Sequence, residues 1–169
     1  MSEPLKISLR VNGTRYERSV APRIHLVDFL RDELGIMGAR TACEHGVCGA
    51  CTVRLDGEIV RGCLVLAVQA NGAEVETIEG ASERGDVTEL QQAFHARNAL
   101  QCGYCTPAML LTAAALLEDK PDATRAEVRE YISGNYCRCT GYHAIVDAIC
   151  DVRDSRRAKA APARGQENA

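Results

Sequence analysis

The spacing of apolar positions changes along the chain. Ile7, Leu9 and Val11 alternate with polar residues, Asn12-Gly13 makes a two-residue turn, and Tyr16, Arg18 and Val20 continue the alternation, the pattern of a β-hairpin. Leu26, Phe29, Leu30 and Leu34 then recur at helical spacing until Gly35 supplies a stop. Thr52 to Leu55, the turn Asp56-Gly57, and Glu58 to Val60 predict a second hairpin, and Glu74 to Ile78 a short last strand before a loop that starts at Glu79-Gly80. Two hairpins, a strand and one packed helix make a small α+β unit over residues 1–80.

Past residue 80 the spacing is helical. Thr88 with Gln91 reads as a capping box ahead of Leu90 and Phe94, and Thr106 followed by Pro107 opens a helix from Ala108 to Leu117. Thr124 with Glu127 caps a third helix through Val128, Tyr131 and Ile132, which Gly134 ends. A fourth fits Gly141 to Cys150, with Ile145, Val146 and Ile149 on its buried side. Four short helices predict an all-α domain over residues 81–152. Residues 153–169 carry five basic and two acidic side chains without periodicity and are expected to be a disordered tail.

Composition narrows the function classes. A hydrophobic fraction of 46% suits a globular chain, while 4% aromatics and a net charge of −3 argue against nucleic acid, which needs stacking surfaces and a basic excess. Nine cysteines in 169 residues are an odd number and too few for a disulfide scaffold. The start has no apolar stretch of signal-peptide length, and the only Arg-Arg pair is Arg156-Arg157, so a cytoplasmic location is expected. In that compartment a cysteine cluster points to metal or redox chemistry. The apolar run Ala108 to Leu117 is too short to span a bilayer, so no integral membrane segment is expected.

Eight of the nine cysteines form two groups of four. Cys43, Cys48, Cys51 and Cys63 have C-x4-C-x2-C spacing with a distant fourth member, the plant-type ferredoxin arrangement for a two-iron, two-sulfide cluster. Small residues in the loop between them let the backbone approach the sulfides. Cys102, Cys105, Cys137 and Cys139 have a less diagnostic spacing, and a structural zinc stays open there. Each of their pairs precedes a predicted helix start, where partial positive charge lowers thiolate pKa and suits an anionic cluster.

Three segments together carry a family resemblance: Cys43-Glu44-His45-Gly46-Val47-Cys48-Gly49-Ala50-Cys51, Gln101-Cys102-Gly103-Tyr104-Cys105-Thr106-Pro107, and Gly134-Asn135-Tyr136-Cys137-Arg138-Cys139-Thr140-Gly141-Tyr142. In this order they closely resemble the small iron–sulfur subunit of the xanthine oxidase family of molybdenum hydroxylases, over about residues 5 to 150. Within the family the chain looks most like the separate small subunits of three-subunit bacterial enzymes, such as carbon monoxide dehydrogenase and quinoline 2-oxidoreductase.

The resemblance implies an N-terminal β-grasp plant-type ferredoxin domain followed by an all-α four-helix-bundle iron–sulfur domain. It makes Cys43, Cys48, Cys51 and Cys63 the ligands of a 2Fe-2S cluster nearer the flavin, and Cys102, Cys105, Cys137 and Cys139 those of a cluster nearer the molybdenum cofactor. It places Gln101 in contact with the pterin and Cys139 close by, as ligand and electron exit. The implied partners are a large molybdopterin subunit and a medium FAD subunit, in a dimer of heterotrimers. Ala108 departs from the glycine common after Cys-Thr-Pro, and Cys150 falls outside the ligand set as a buried small hydrophobe.

The chain lacks a Gly-rich dinucleotide fingerprint and a P-loop, so its expected part is electron transfer, with no substrate-binding active site of its own. An aromatic or N-heterocyclic substrate of the assembled enzyme is expected, with carbon monoxide or an aldehyde as the alternative. A free-standing two-cluster redox carrier and a zinc-stabilised interaction module are the rival readings. His45 is superfluous to a complete ligand set, and His25, His95 and His143 read as surface or supporting residues. Tyr104 and Tyr142 read as packing around a cluster, and Arg138 as a charge that tunes the second cluster's potential.

Overall fold

The computed structural model describes residues 3–160. Strands β1 (Leu5–Val11) and β2 (Thr14–Val20) form the first hairpin, β3 (Thr52–Leu55) and β4 (Glu58–Arg61) the second, and β5 (Glu74–Glu76) lies between them. The five-stranded sheet has the order β2-β1-β5-β3-β4, antiparallel except where β1 pairs with β5. Both hairpin turns use left-handed residues, Asn12-Gly13 and Asp56-Gly57, as two-residue turns that match strand twist require. The sheet buries Ile7, Leu9, Val11, Val53 and Val75 against Leu26, Val27, Phe29 and Leu30. Those last residues belong to α1 (Leu26–Asp28) and a π-helical turn (Phe29–Glu33) that continues it.

The second half comprises α2 (Ile78–Glu83), α3 (Thr88–Ala96), α4 (Thr106–Asp119), α5 (Arg125–Tyr131) and α6 (His143–Ala160). Helices α3 and α5 each pack against both α4 and α6, around a core that includes Leu90, Phe94, Met109, Leu111, Leu116, Val128, Ile145 and Ile149. With the sheet unit before it, this makes an α+β chain.

Four local expectations need correction. The strand ends at Glu76, and the anticipated loop at Glu79-Gly80 is helix α2. Thr77 is held from both sides by the Asn12 amide, and Glu79 accepts from the Gly38 backbone N–H at 2.6 Å, long-range bonds that favour a helical turn there. Thr88 is not a cap: Val87 precedes the helix, and the Gln91 amide donates to Ser82. By contrast, the box of Thr124 and Glu127 is fully formed. The last helix starts at His143 rather than Gly141, because Gly141 and Tyr142 both have positive φ. It then runs to Ala160, through the first part of the expected disordered tail, because Arg156 and Lys159 reach Glu89 and Arg157 reaches Asp122. Residues 161–169 of that tail lie outside the described residues.

Candidate metal centres

The first site is a loop folded on itself. Between Cys43 and Cys51 the chain turns left-handed at Glu44, Gly46 and Gly49. A Cβ on Gly46 would collide with the Leu64 side chain, and one on Gly49 with the Gly134 carbonyl, so both glycines are needed for close approach as well as for φ. The loop brings Cys43 beside Cys48, whose backbone N–H donates to the Cys43 sulfur at 3.3 Å. It also brings Cys51 beside Cys63, whose N–H donates to the Cys51 sulfur at 3.4 Å. Cys51 and Cys63 are buried, whereas Cys43 and Cys48 are half-buried.

The second site joins two distant loops. The sulfurs of Cys102 and Cys139 stand 3.5 Å apart at the surface, and the half-buried Cys105 and Cys137 thiols are neighbours. Thr140 donates its hydroxyl to the Cys137 sulfur at 3.1 Å. The Gln101 side-chain amide donates to the Cys139 carbonyl at 3.0 Å, so Gln101, Cys102 and Cys139 form one exposed patch.

Both sites therefore present four thiols as two pairs, one outer and one inner. A structural zinc gathers its four ligands around one point, whereas a two-iron cluster takes two thiolates at each iron. Paired thiols fit the binuclear cluster at both sites. The hydroxyl of Thr41, two residues ahead of the first loop, is buried without a protein partner.

The thiols are tuned unequally. The backbone N–H groups of Cys48 and His45 stabilise the Cys43 thiolate and lower its pKa from 9.0 to about 6. Burial raises Cys51 to about 12, and burial with the neighbouring Cys137 thiol raises Cys105 to about 12. Cys105 caps the start of α4, so desolvation outweighs the helix-end charge expected to lower its pKa. Burial also opposes the Cys137 thiolate, but the Thr140 hydroxyl and nearby backbone groups more than offset it.

The two sites meet at a close junction. The Tyr136 N–H, one residue before Cys137, donates to the Cys48 carbonyl at 2.8 Å. Tyr104, inside the Cys102–Cys105 turn, donates its hydroxyl to the Thr41 carbonyl at 2.6 Å, with the Arg40 guanidinium over its ring. Tyr104 is thus a strap between the loops, a role that its place beside the cysteines did not disclose. Asn135 and Arg61 also belong to this junction; Asn135 stood in the sequence as a member of the Gly134–Tyr142 motif without a role, and nothing there signalled Arg61. His45 turns its ring onto the Cys43 carbonyl. His25 faces Asp28, and His95 and His143 are exposed. Arg138 is exposed and makes no ion pair among the described residues, and Cys150 is buried in the helical core, apart from both thiol sets.

Residues 9–79 match the family model of a 2Fe-2S iron-sulfur cluster binding domain, and residues 77–150 that of a [2Fe-2S] binding domain. The chain is 53% identical over 149 residues to the caffeine dehydrogenase subunit gamma of Pseudomonas sp. (strain CBB1), covering 86% of this chain and 89% of that protein. The chain belongs to the small iron–sulfur subunits of the xanthine oxidase family. This subunit is also 51% identical to subunit beta of the 6-hydroxypseudooxynicotine dehydrogenase complex of Paenarthrobacter nicotinovorans, over 86% of this chain and 92% of that one. Among solved structures it superposes on a chain of quinoline 2-oxidoreductase from Pseudomonas putida 86 with a TM-score of 0.86 and 47% identity, covering 94% and 98% of the two chains. It is an iron–sulfur subunit of an oxidoreductase, with two 2Fe-2S domains.

Proposed function

We propose that this subunit passes electrons from a molybdopterin site in a large partner, through its two clusters, to FAD in a medium partner. The observation that carries the reading is the junction: the backbone N–H of Tyr136, the residue before Cys137 of the second thiol set, donates to the carbonyl of Cys48 in the first. When bound, 2Fe-2S clusters supply one-electron acceptors. The chain's own residues hold them with Cys43, Cys48, Cys51 and Cys63 in the first domain and Cys102, Cys105, Cys137 and Cys139 in the second. Burial of Cys51 and Cys63 excludes water from the side of the first site that faces the core and raises the cost of unligated thiolate there, which keeps these ligands on iron.

Each site also has a surface side. Gln101, with Cys102 and Cys139, is exposed, and we assign its side chain, whose amide donates to the Cys139 carbonyl, to contact with the pterin of the large partner. At the first site Val47 and Leu64 are exposed beside half-buried Cys43 and Cys48, an apolar rim suited to a protein partner. The four-helix bundle, the boundaries at residues 80 and 152 and the dimer of heterotrimers belong to the same proposal. No described helix is long and apolar enough to cross a membrane, and we place the complex in the cytoplasm. An N-heterocyclic substrate follows from the caffeine and quinoline named for the relatives, and this chain contributes no residue to its pocket. Co-purification of the tagged chain from its native host tests the reading. The expected partners carry molybdenum and flavin, and the purified complex bleaches in visible absorption when an N-heterocycle is added. Recovery of a cluster-loaded chain alone would overturn it.

A further inference from the structure

Asn135 lies between the two thiol sets, in neither of them, and is 1% exposed. Its side-chain Nδ2 donates to the Gly49 carbonyl at 3.2 Å, inside the Cys48–Cys51 turn, and to the Thr52 hydroxyl at 3.3 Å. Its Oδ1 accepts from the Thr112 hydroxyl at 3.1 Å, in the middle of α4. Arg61 joins the same junction, donating to the Gly134 carbonyl at 2.8 Å and also to the Thr52 hydroxyl. The first loop meets the second at Gly49, where an added side chain would collide with the Gly134 carbonyl; at Gly134 it would instead meet the Arg61 guanidinium. The amide therefore has both of its polar atoms satisfied, Nδ2 by the first loop and β3 and Oδ1 by α4, in a buried setting where a lost partner is left without water to replace it.

We propose that Asn135 is a positioning residue for electron transfer between the clusters: it clamps the first cluster's loop to the second cluster's loop and to α4, and so fixes the intercluster distance and the Tyr136-to-Cys48 bond. Two features favour this over a role in folding alone. The amide bonds the first loop between two of its ligands, Cys48 and Cys51, and it stands one residue before the Tyr136 N–H and two before Cys137. An apolar residue of similar volume would fill the space but leave the Gly49 carbonyl and the Thr52 and Thr112 hydroxyls with fewer partners. The two loops would then lack a common fixed point.

The proposal rests on the two-cluster reading, and the test separates them. Low-temperature electron paramagnetic resonance of the fully reduced full-length chain, with both clusters loaded and iron counted, reads the magnetic splitting that each cluster imposes on the other. This interaction falls steeply with distance. Asn135→Ala is expected to retain both signals and lose the splitting, while intercluster electron equilibration after a reducing flash becomes slower. Thr112→Val removes a partner of Asn135 on α4 without touching either loop, and is expected to weaken the splitting in the same direction at full iron content. Wild-type splitting in a fully loaded Asn135→Ala chain would overturn the role. If that chain does not load both clusters, wild-type splitting in Thr112→Val overturns it instead. A wild-type chain without two signals would defeat the two-cluster reading itself.

Discussion

In Cys48-Gly49-Ala50-Cys51 and in Cys102-Gly103-Tyr104-Cys105 the glycine is left-handed, at φ 73° and 77°, yet the surroundings differ. Gly49 is pressed against Gly134, and Ala50 is buried. Gly103 has no neighbour within 4 Å of an added Cβ, and Tyr104 is 44% exposed, reaching outward to Thr41. The first site is a self-wrapped loop locked by the second domain, whereas the second is assembled from two loops whose outer pair remains at the surface. The same short motif therefore sits at a packed junction in one site and at an open face in the other, the face suited to a partner.

The largest effect comes from the ligands. Cys51→Ser should abolish one resonance signal and leave the other, and Cys105→Ser should do the reverse, with about half of the iron lost in each case. Loss of both signals from either change would mean that the sites do not fold independently and would break the comparison. Next, Gly49→Ala should destabilise the cluster-loaded chain by more than about 2 kcal/mol, since backbone displacement at Gly134 adds to the left-handed penalty. Gly103→Ala carries only that penalty, about 1 kcal/mol. Chemical denaturation followed by visible absorption ranks them, and equal losses would show that crowding at Gly49 carries no weight. Tyr104→Phe removes the strap to Thr41 at about 1 kcal/mol, which the same denaturation curves would detect.

The smallest effect is pH-dependent and lies away from both sites. Lys159 and Arg156 hold the Glu89 carboxyl below its ordinary 4.5. A depressed carboxylate contributes stability above its unfolded pKa and loses it as pH falls through the folded value. The end of α6 should therefore fray below about pH 4.5. Glu89 is 39% exposed, so solvent and salt limit the effect to less than about 1 kcal/mol. Hydrogen exchange across residues 153–160 should show this fraying in wild type, and faster exchange at neutral pH in Glu89→Gln.

What was legible in the sequence follows the reach of the interactions. Asn12-Gly13, Asp56-Gly57 and the Thr124 box are set by neighbours a few residues away, and they stand where the pattern put them. The eight thiols were legible as two sets by spacing, but the cross-pairing of Cys102 with Cys139 depends on how two distant loops pack. The same holds for α2, whose first turn is held by Asn12 and Gly38, and for the end of α6, held by Glu89 and Asp122. Asn135 was visible in its motif, but only burial and three side-chain bonds to distant elements distinguish it from an ordinary turn residue.

Resonance of the dithionite-reduced chain, integrated against a spin standard at low temperature, tests the two-cluster account most directly. Two distinct rhombic signals of equal intensity, one spin for each cluster domain, are expected from the two paired-thiol sites. A chain with one signal, or a colourless chain holding zinc and giving none, would contradict it.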